Sequence, residues 1–320
     1  MTQKISLVVP MYNEADSIEN FFASLIPVLE NIAEDYEIIC VNDGSSDNTL
    51  ELIKKNNQIN SRIKVIDLSR NFGKESALTA GLHYANGDAV IPLDSDLQDP
   101  PELIPDLIKK WHEGYKVVQC IRADRSHDSF LKRFTAGMFY RLNQKLSDVS
   151  IPVNVADFRL LDRQVVEALQ LMPERTRFMK GIFAWLGYDV AQVSYARPPR
   201  SKGTTKWNYW KLWNFALEGI FSFSTLPLRI WTYLGFFLAV AAALYIMFII
   251  FRVLILGVDV PGYASTLVLL LFFSGLNMIG LGILGEYVGR IFTEVKRRPL
   301  YLIKQKVGFD DSPPPANRRL

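Results

Sequence analysis

Short apolar runs alternate with amphipathic segments through the first 120 residues. Ile5–Pro10, Tyr36–Asn42, Ile63–Ser69, Asp88–Leu93 and Lys116–Ile121 are β-rich and mostly apolar, as strands buried on both faces are. Helical periodicity fills the gaps. One segment runs to about Ile32 with Phe21, Phe22, Leu25 and Ile26 on one face, and others end near Asn57 and at Tyr84. A further one runs from Pro100-Pro101 to Trp111. Asn13 or Asp16 is placed to cap the first helix. Strands and helices alternating over short links predict an α/β fold, a mainly parallel sheet covered on both faces. Ligands bind such sheets beyond the carboxyl ends of the strands. The runs end there in polar residues: Asn13 and Glu14, Asn42 to Asp47, Arg70 to Lys74, Asp94 to Asp99. No Gly-x-Gly-x-x-Gly follows the first strand, so a dinucleotide fold has little support.

The last of these clusters, Leu93-Asp94-Ser95-Asp96-Leu97-Gln98-Asp99, carries the most chemistry. Carboxylates at i and i+2 point the same way from an extended chain. They repel each other unless a cation or a proton lies between them. Hard oxygen ligands favour magnesium or manganese, and magnesium is commonly held by one or two carboxylates plus substrate phosphates. The stretch therefore predicts a metal–diphosphate site at Asp94 and Asp96; a solvated Asp-rich turn is the alternative these residues leave open.

The pattern changes after about Ser129. Phe130, Leu131, Phe134, Met138, Phe139 and Leu142 recur at helical spacing with Lys132, Arg133, Arg141 and Lys145 around them. Such a basic amphipathic helix suits a membrane surface, and an ordinary core-packing helix is the other reading. Trp207–Phe223 is rich in Trp and Phe, as interfacial segments are. Ile230–Phe251 and Ser265–Leu284 are long, almost uncharged and close to the roughly 20 residues that span hydrocarbon. Basic residues flank their outer ends, from Arg197 to Arg229 before and Arg290 to Lys306 after. The positive-inside rule then puts both termini and the front domain in the cytoplasm of an inner-membrane, multi-pass protein. The expected divisions are a catalytic domain over 1–228 with interface helices at 129–147 and 207–224, two transmembrane helices at about 230–254 and 265–288 within 229–290, and a cytoplasmic basic tail over 291–320. Glu286 and Arg290 are spaced to pair. Gly275, Gly280, Gly282, Gly285 and Gly289 give the second span a smooth face, which suggests a homo-oligomer.

Composition adds limits. A net charge of +3 is too small to suggest nucleic acid, and the 49% hydrophobic content is unevenly placed, with charged residues common before position 230 and rare from 230 to 285. Cys40 and Cys120 lie inside apolar runs and read as reduced core residues of a domain facing a reducing compartment. The chain enters its first strand without a basic, apolar, cleavable leader, so no signal peptide is expected.

Several motifs together resemble a known family. Val8-Val9-Pro10-Met11-Tyr12-Asn13-Glu14, Val41-Asn42-Asp43-Gly44-Ser45-Ser46-Asp47, Asn71-Phe72-Gly73-Lys74, Asp94 to Pro100, and Ala156-Asp157-Phe158-Arg159 resemble family 2 glycosyltransferases. More narrowly, they are similar to polyprenyl-phosphate glycosyltransferases related to dolichol-phosphate mannose synthase. Two C-terminal spans make the bacterial group that forms polyprenyl-phosphate glucose the nearest likeness. The resemblance covers residue 5 to about residue 300.

The resemblance implies a nucleotide-sugar domain of glycosyltransferase type A and an inverting, metal-dependent hexosyl transfer at the membrane. UDP-glucose is the expected donor and undecaprenyl phosphate the expected acceptor. GDP-mannose or a UDP-linked aminoarabinose are the alternative donors. Pro10, Tyr12, Glu14, Asp43 and Lys74 would bind the nucleotide sugar, with Asp43 placed to accept from the uracil imide. Asp94 and Asp96 would hold Mg2+ or Mn2+ and the diphosphate, with Gln98 adding an oxygen. Arg200 and Lys206, in Arg200-Ser201-Lys202-Gly203-Thr204-Thr205-Lys206-Trp207, resemble the family's mobile loop and would neutralise the leaving diphosphate. Arg122, Arg125, Lys132 and Arg133 would grip the lipid phosphate. Asp157 would sit nearest the attack, as general base or orienting group. No Gln-x-x-Arg-Trp motif supports a processive synthase. A non-catalytic nucleotide-binding scaffold is the reading from another class, and the presence of both Asp94 and Asp96 argues against it.

Overall fold

The computed structural model describes residues 3–32, 34–122, 155–172, 174–175, 179–195, 226–256 and 262–309. Five expected site residues, Arg125, Lys132, Arg133, Arg200 and Lys206, lie outside them, as do both expected interface helices.

The elements run in order β1 (Lys4–Met11), α1 (Ile18–Glu30), β2 (Asp35–Asn42), α2 (Thr49–Ile59), β3 (Ile63–Leu68), α3 (Lys74–Tyr84) and β4 (Ala89–Pro92). After a 3-10 turn at Pro101–Leu103 come α4 (Ile104–His112), β5 (Val117–Arg122), β6 (Val155–Asp162), α5 (Arg163–Gln170), α6 (Met179–Trp185) and β7 (Val190–Tyr195). Two long helices, α7 (Leu226–Leu256) and α8 (Tyr263–Val295), precede β8 (Ile303–Val307). The strands form one sheet in the order β7-β5-β6-β4-β1-β2-β3-β8.

The centre of the sheet is parallel, with β1 between β2 and β4 and β3 beyond β2. Along β1, Ile5, Leu7 and Val9 pack into a core with α1 and α4, while Val8 faces the opposite core with α3 and α5. Both cores exclude water, which is why these strands read as continuous apolar runs.

The flanks depart from the simple alternation. β5 does not join β4; β6 lies between them, antiparallel to both. Its register pairs Ala89 with Asp162 and Val90 with Leu161. Beyond that pairing, Asp94 and Asp157 both contact Lys74. At the other edge β8 pairs antiparallel with β3, so residues 303–307 of the expected basic tail belong to the catalytic sheet. Tyr301 meets His83 Nδ1 at 2.7 Å, and Phe309 stacks edge-on against Tyr84. Ser17, not Asn13 or Asp16, starts α1, and it makes no side-chain cap. Asn13 takes a positive φ of 54° and accepts from the Ser46 N–H instead, tying the β1 loop to the β2 loop.

Among the described residues one stretch, Ile230–Arg252 in α7, is long and apolar enough to cross a membrane, and none of it is buried by the rest of the chain. The second expected span falls within the 33-residue α8, which the same measure does not select among the described residues. Glu286 and Arg290 pair at 3.0 Å, as expected. Gly280 lies against the Trp231 indole of α7, where a Cβ would come within 2.1 Å of Nε1. That glycine thus serves packing inside the chain.

Candidate active site

The loops after β1, β2, β3 and β4 converge on one edge and surround two joined cavities. The outer cleft, about 680 Å³, is walled by Pro10, Tyr12, Glu14, Asp43, Lys74, Asp94 and Asp96, among others. All seven were expected in the site from sequence. The inner recess, about 460 Å³, shares Pro10, Lys74 and Asp94 with the cleft and adds Glu75, Asp157, Arg159 and apolar side chains.

Each loop is fixed by its own hydrogen bonds. Asp43, 3% exposed, accepts from the Phe72 N–H at 2.7 Å and the Gly73 N–H at 2.9 Å. Burial raises its pKa, and those two N–H groups and Arg70 pull the other way. Asp43 thus first pins the β3–α3 loop, and its remaining lone pairs face the cleft. Gly44 permits this closeness: its φ is +65°, and a Cβ there would meet the Arg70 carbonyl carbon at 2.4 Å. The β4 loop turns at Leu97, whose φ of 54° is unusual for a branched residue. Gln98 donates its N–H to Asp96 Oδ1 at 3.1 Å.

Asp94, Lys74 and Asp157 form the centre. Lys74, the first residue of α3, reaches Asp94 Oδ2 at 2.7 Å and Asp157 Oδ2 at 3.3 Å. Burial disfavours the ammonium, but the two carboxylates outweigh that and raise its pKa. Burial also raises the Asp94 pKa; Lys74 opposes this, while Asp157 and Asp96 add to it. The centre therefore gathers more negative charge than Lys74 alone balances. Asp96 stands exposed at the rim.

Two expectations fare differently. Gln98 is buried, 8% exposed, and lines neither cavity. Arg122 ends β5, paired in register with Tyr195 of β7. The sequence reading passed over three features. Arg159 is buried with its guanidinium 4.2 Å over the Phe183 ring and Nε donating to the Asp157 carbonyl at 3.3 Å. Glu75 follows Lys74 in the recess wall. The Tyr195 hydroxyl donates to Asp99 Oδ1, joining the last residue of β7 to the acidic loop. Arg159 was signalled by its place in the Asp157 motif; the other two carried no local signal. No cluster of three or more His, Cys, Asp or Glu side chains able to hold a metal occurs among the described residues.

The mixed α/β sheet with an acidic, lysine-bridged cleft at its carboxyl edge accompanies a family match that makes the chain a glycosyltransferase. The chain belongs to glycosyltransferase family 2, whose model, "Glycosyl transferase family 2", matches residues 6–170. It is 55% identical over 313 residues, 98% of each chain, to an uncharacterized glycosyltransferase of Synechocystis sp.. It is 51% identical over 302 residues to the SfII prophage-derived bactoprenol glucosyl transferase of Shigella flexneri, covering 94% of this chain and 98% of the relative. A prophage bactoprenol glucosyl transferase homolog of Escherichia coli is also 51% identical over 302 residues, 94% of this chain and 99% of that one.

Proposed function

We propose that the chain transfers glucose from UDP-glucose to the phosphate of a polyprenyl phosphate, undecaprenyl phosphate in bacteria, at the cytoplasmic face of the inner membrane. The observation that carries this reading is the meeting of Asp94, Lys74 and Asp157 where the two cavities join. Relatives named bactoprenol glucosyl transferase that match nearly the whole chain support the sugar and the acceptor. The exposed apolar surface of α7 supports a bilayer setting, with α8 as the second span.

Pro10, Tyr12, Glu14 and Asp43 line the outer cleft and hold the nucleoside. Asp94 and Asp96 are hard oxygen donors with surplus negative charge, a set that fits Mg2+ or Mn2+. A bound divalent cation supplies electrostatic stabilisation of the leaving diphosphate. Lys74 adds a fixed positive charge there and holds the Asp157 carboxylate. As the family pattern implies, Arg200 and Lys206 neutralise the same diphosphate, and Arg122, Arg125, Lys132 and Arg133 take the lipid headgroup.

A phosphomonoester has its second pKa near 6, so the acceptor is mostly a dianion at pH 7. Asp157 therefore orients the attacking oxygen and accepts the proton of the minor monoanion. One phosphate oxygen–C1 bond forms as the C1–O bond to UDP breaks, which inverts the anomeric centre and yields a β-linked lipid phosphate. Incubating purified protein with polyprenyl phosphate and a panel of UDP- and GDP-sugars, with metal or with chelator, tests this. Glucosyl lipid from UDP-glucose, abolished by chelator, is expected. An α-linked product, or an undiminished rate in chelator, overturns the scheme.

A further inference from the structure

Helix α3 carries the cation of the site at one end and is gripped at the other by the last part of the chain. Lys74 is its first residue, and its 11 residues make a rod about 16 Å long. The face it turns to the sheet is small and smooth. Ala77 and Ala80 are fully buried, and Gly81 lies so close to β1 that a Cβ there would meet Val8 Cγ1 at 2.2 Å. Such a face brings the helix close to the strands but offers few ridges against sliding along its own axis. Ahead of the helix Asp43 holds the Gly73 N–H, but glycine at the N-cap gives the first turn no side-chain bond. The axial position of α3, and with it the reach of Lys74, therefore depends on what holds the last turn.

That turn is held from two sides. From α5, Gln170 Nε2 donates to the Leu82 carbonyl at 3.1 Å and the Arg163 guanidinium to the Ala85 carbonyl at 3.0 Å. From the other side comes the chain beyond α8. The Tyr301 hydroxyl and His83 Nδ1 share a hydrogen bond of 2.7 Å, and His83 is buried. Phe309 lies edge-on to Tyr84, and Lys306 Nζ sits 5.0 Å from the centre of the same ring. The segment also touches the chain that leads into α3, where the Ser69 N–H donates to the Leu302 carbonyl at 2.9 Å. It is fastened again as it leaves α8: the Arg175 N–H donates to Glu294 Oε1 at 2.8 Å, and the Arg175 guanidinium to the Arg298 carbonyl. Residues 294–309 thus splint the end of α8 to β3 and α3. The grip bears on a narrow tolerance. Lys74 Nζ lies 2.7 Å from Asp94 and 3.3 Å from Asp157, and the longer contact is already at the limit of a hydrogen bond. A slide of about half an ångström away from Asp157 loses it.

We propose that Tyr301 is a positioning residue for the transfer reaction: by holding His83 it sets α3 along its axis and keeps Lys74 between Asp94 and Asp157. The part Lys74 plays in the reaction rests on the functional reading above; its placement by Tyr301 does not.

Brief treatment of the detergent-solubilised full chain with acetic anhydride at one fixed pH, read lysine by lysine in a mass spectrometer, tests the link directly. Only the free amine is acylated, so a lysine clasped by two carboxylates reacts slowly and a released one reacts faster. Tyr301→Phe removes the hydroxyl and keeps the ring; Tyr301→Ala removes both. Lys4 and Lys64, both paired with buried Glu37, report any general loosening of the sheet. Acylation of Lys74 is expected to rise about 3- to 10-fold in Tyr301→Phe, the loss of one neutral hydrogen bond, and at least as much in Tyr301→Ala. Lys4 and Lys64 should stay within about twofold of the parent. In the same preparations kcat for glucosyl transfer should fall by a like factor, with the KM for UDP-glucose within about twofold. Lys74 labelling unchanged in both variants, or raised in step with Lys4 and Lys64, overturns the proposal. Raised Lys74 labelling with kcat unchanged overturns the link to the reaction. A parent chain that transfers no glucose overturns the functional reading instead, and the labelling still decides whether Tyr301 places Lys74.

Discussion

Glu37 lies at the amino end of the sheet, far from the site, and its carboxylate is the knot of a buried network. It is 1% exposed, accepts from Ser6 Oγ at 2.6 Å and the Asn86 N–H at 2.8 Å, and pairs with Lys64 at 2.8 Å and Lys4 at 3.1 Å. These contacts join β1, β2, β3 and the α3–β4 link. Burial by itself raises the Glu37 pKa, but the hydrogen bonds from Lys64, Ser6 and Asn86 and the Lys64 charge outweigh it and bring the value from 4.5 down to about 2. That lowering corresponds to roughly 3 kcal/mol of stability. The folded pKa is depressed, so this stability is fully present above pH 4.5. It is lost as pH falls toward 2, at about 1.4 kcal/mol per pH unit. Glu37→Gln, which resembles the protonated carboxyl, should cost about 3 kcal/mol at pH 7 and progressively less below pH 4.5. Denaturant titration of the solubilised chain, followed by tryptophan fluorescence between pH 7 and pH 3, reads the gap directly. A gap that stays constant across that range would refute the electrostatic account and leave only a change of packing. The KM for the donor should be unaffected, because the network sits at the opposite end of the strands.

Asp157→Asn should lower turnover by about 100- to 10,000-fold while leaving UDP affinity near the parent value; near-normal turnover in a lipid-product assay would remove Asp157 from its role. Asp94→Asn should abolish the response of activity to added divalent metal, and a retained metal response would place the cation elsewhere. Tyr195→Phe leaves buried Asp99 without its hydroxyl partner and should cost about 1–3 kcal/mol in a denaturant titration, with no change expected if the bond is incidental. Gly280→Val should separate α7 from α8 by driving a side chain into Trp231, seen as lower thermal stability and altered tryptophan emission.

The first five strands and four helices were legible because each is a local pattern, an apolar run or a helical face closed by turn residues. The outer cleft was legible for the same reason, since the loops of a parallel sheet share one edge. The contributions that come from afar were not legible. β6 is an antiparallel strand more than sixty residues beyond β4, and no periodicity announces that it inserts between β4 and β5. It carries Asp157 to Lys74, which also holds Asp94, so that two motifs read in separate roles meet at one side chain. Ile303–Val307 sets three consecutive polar residues, Lys304, Gln305 and Lys306, between apolar ends, and this exposed, basic stretch reads as a tail rather than as an edge strand. Asn13 has the residue type of a helix cap, but its side-chain Oδ1 accepts from the neighbouring loop instead.

The strand that finishes the sheet is synthesised last. Until Ile303–Val307 leaves the ribosome, the outer side of β3 has unpaired backbone groups, a template for pairing with any passing extended chain. Between β7 and that closing strand lie two helices of 31 and 33 residues whose apolar side chains face outward. Both helices are therefore made before the sheet is closed. A chain stalled at that point displays two hazards at once, exposed apolar helices and an open sheet margin.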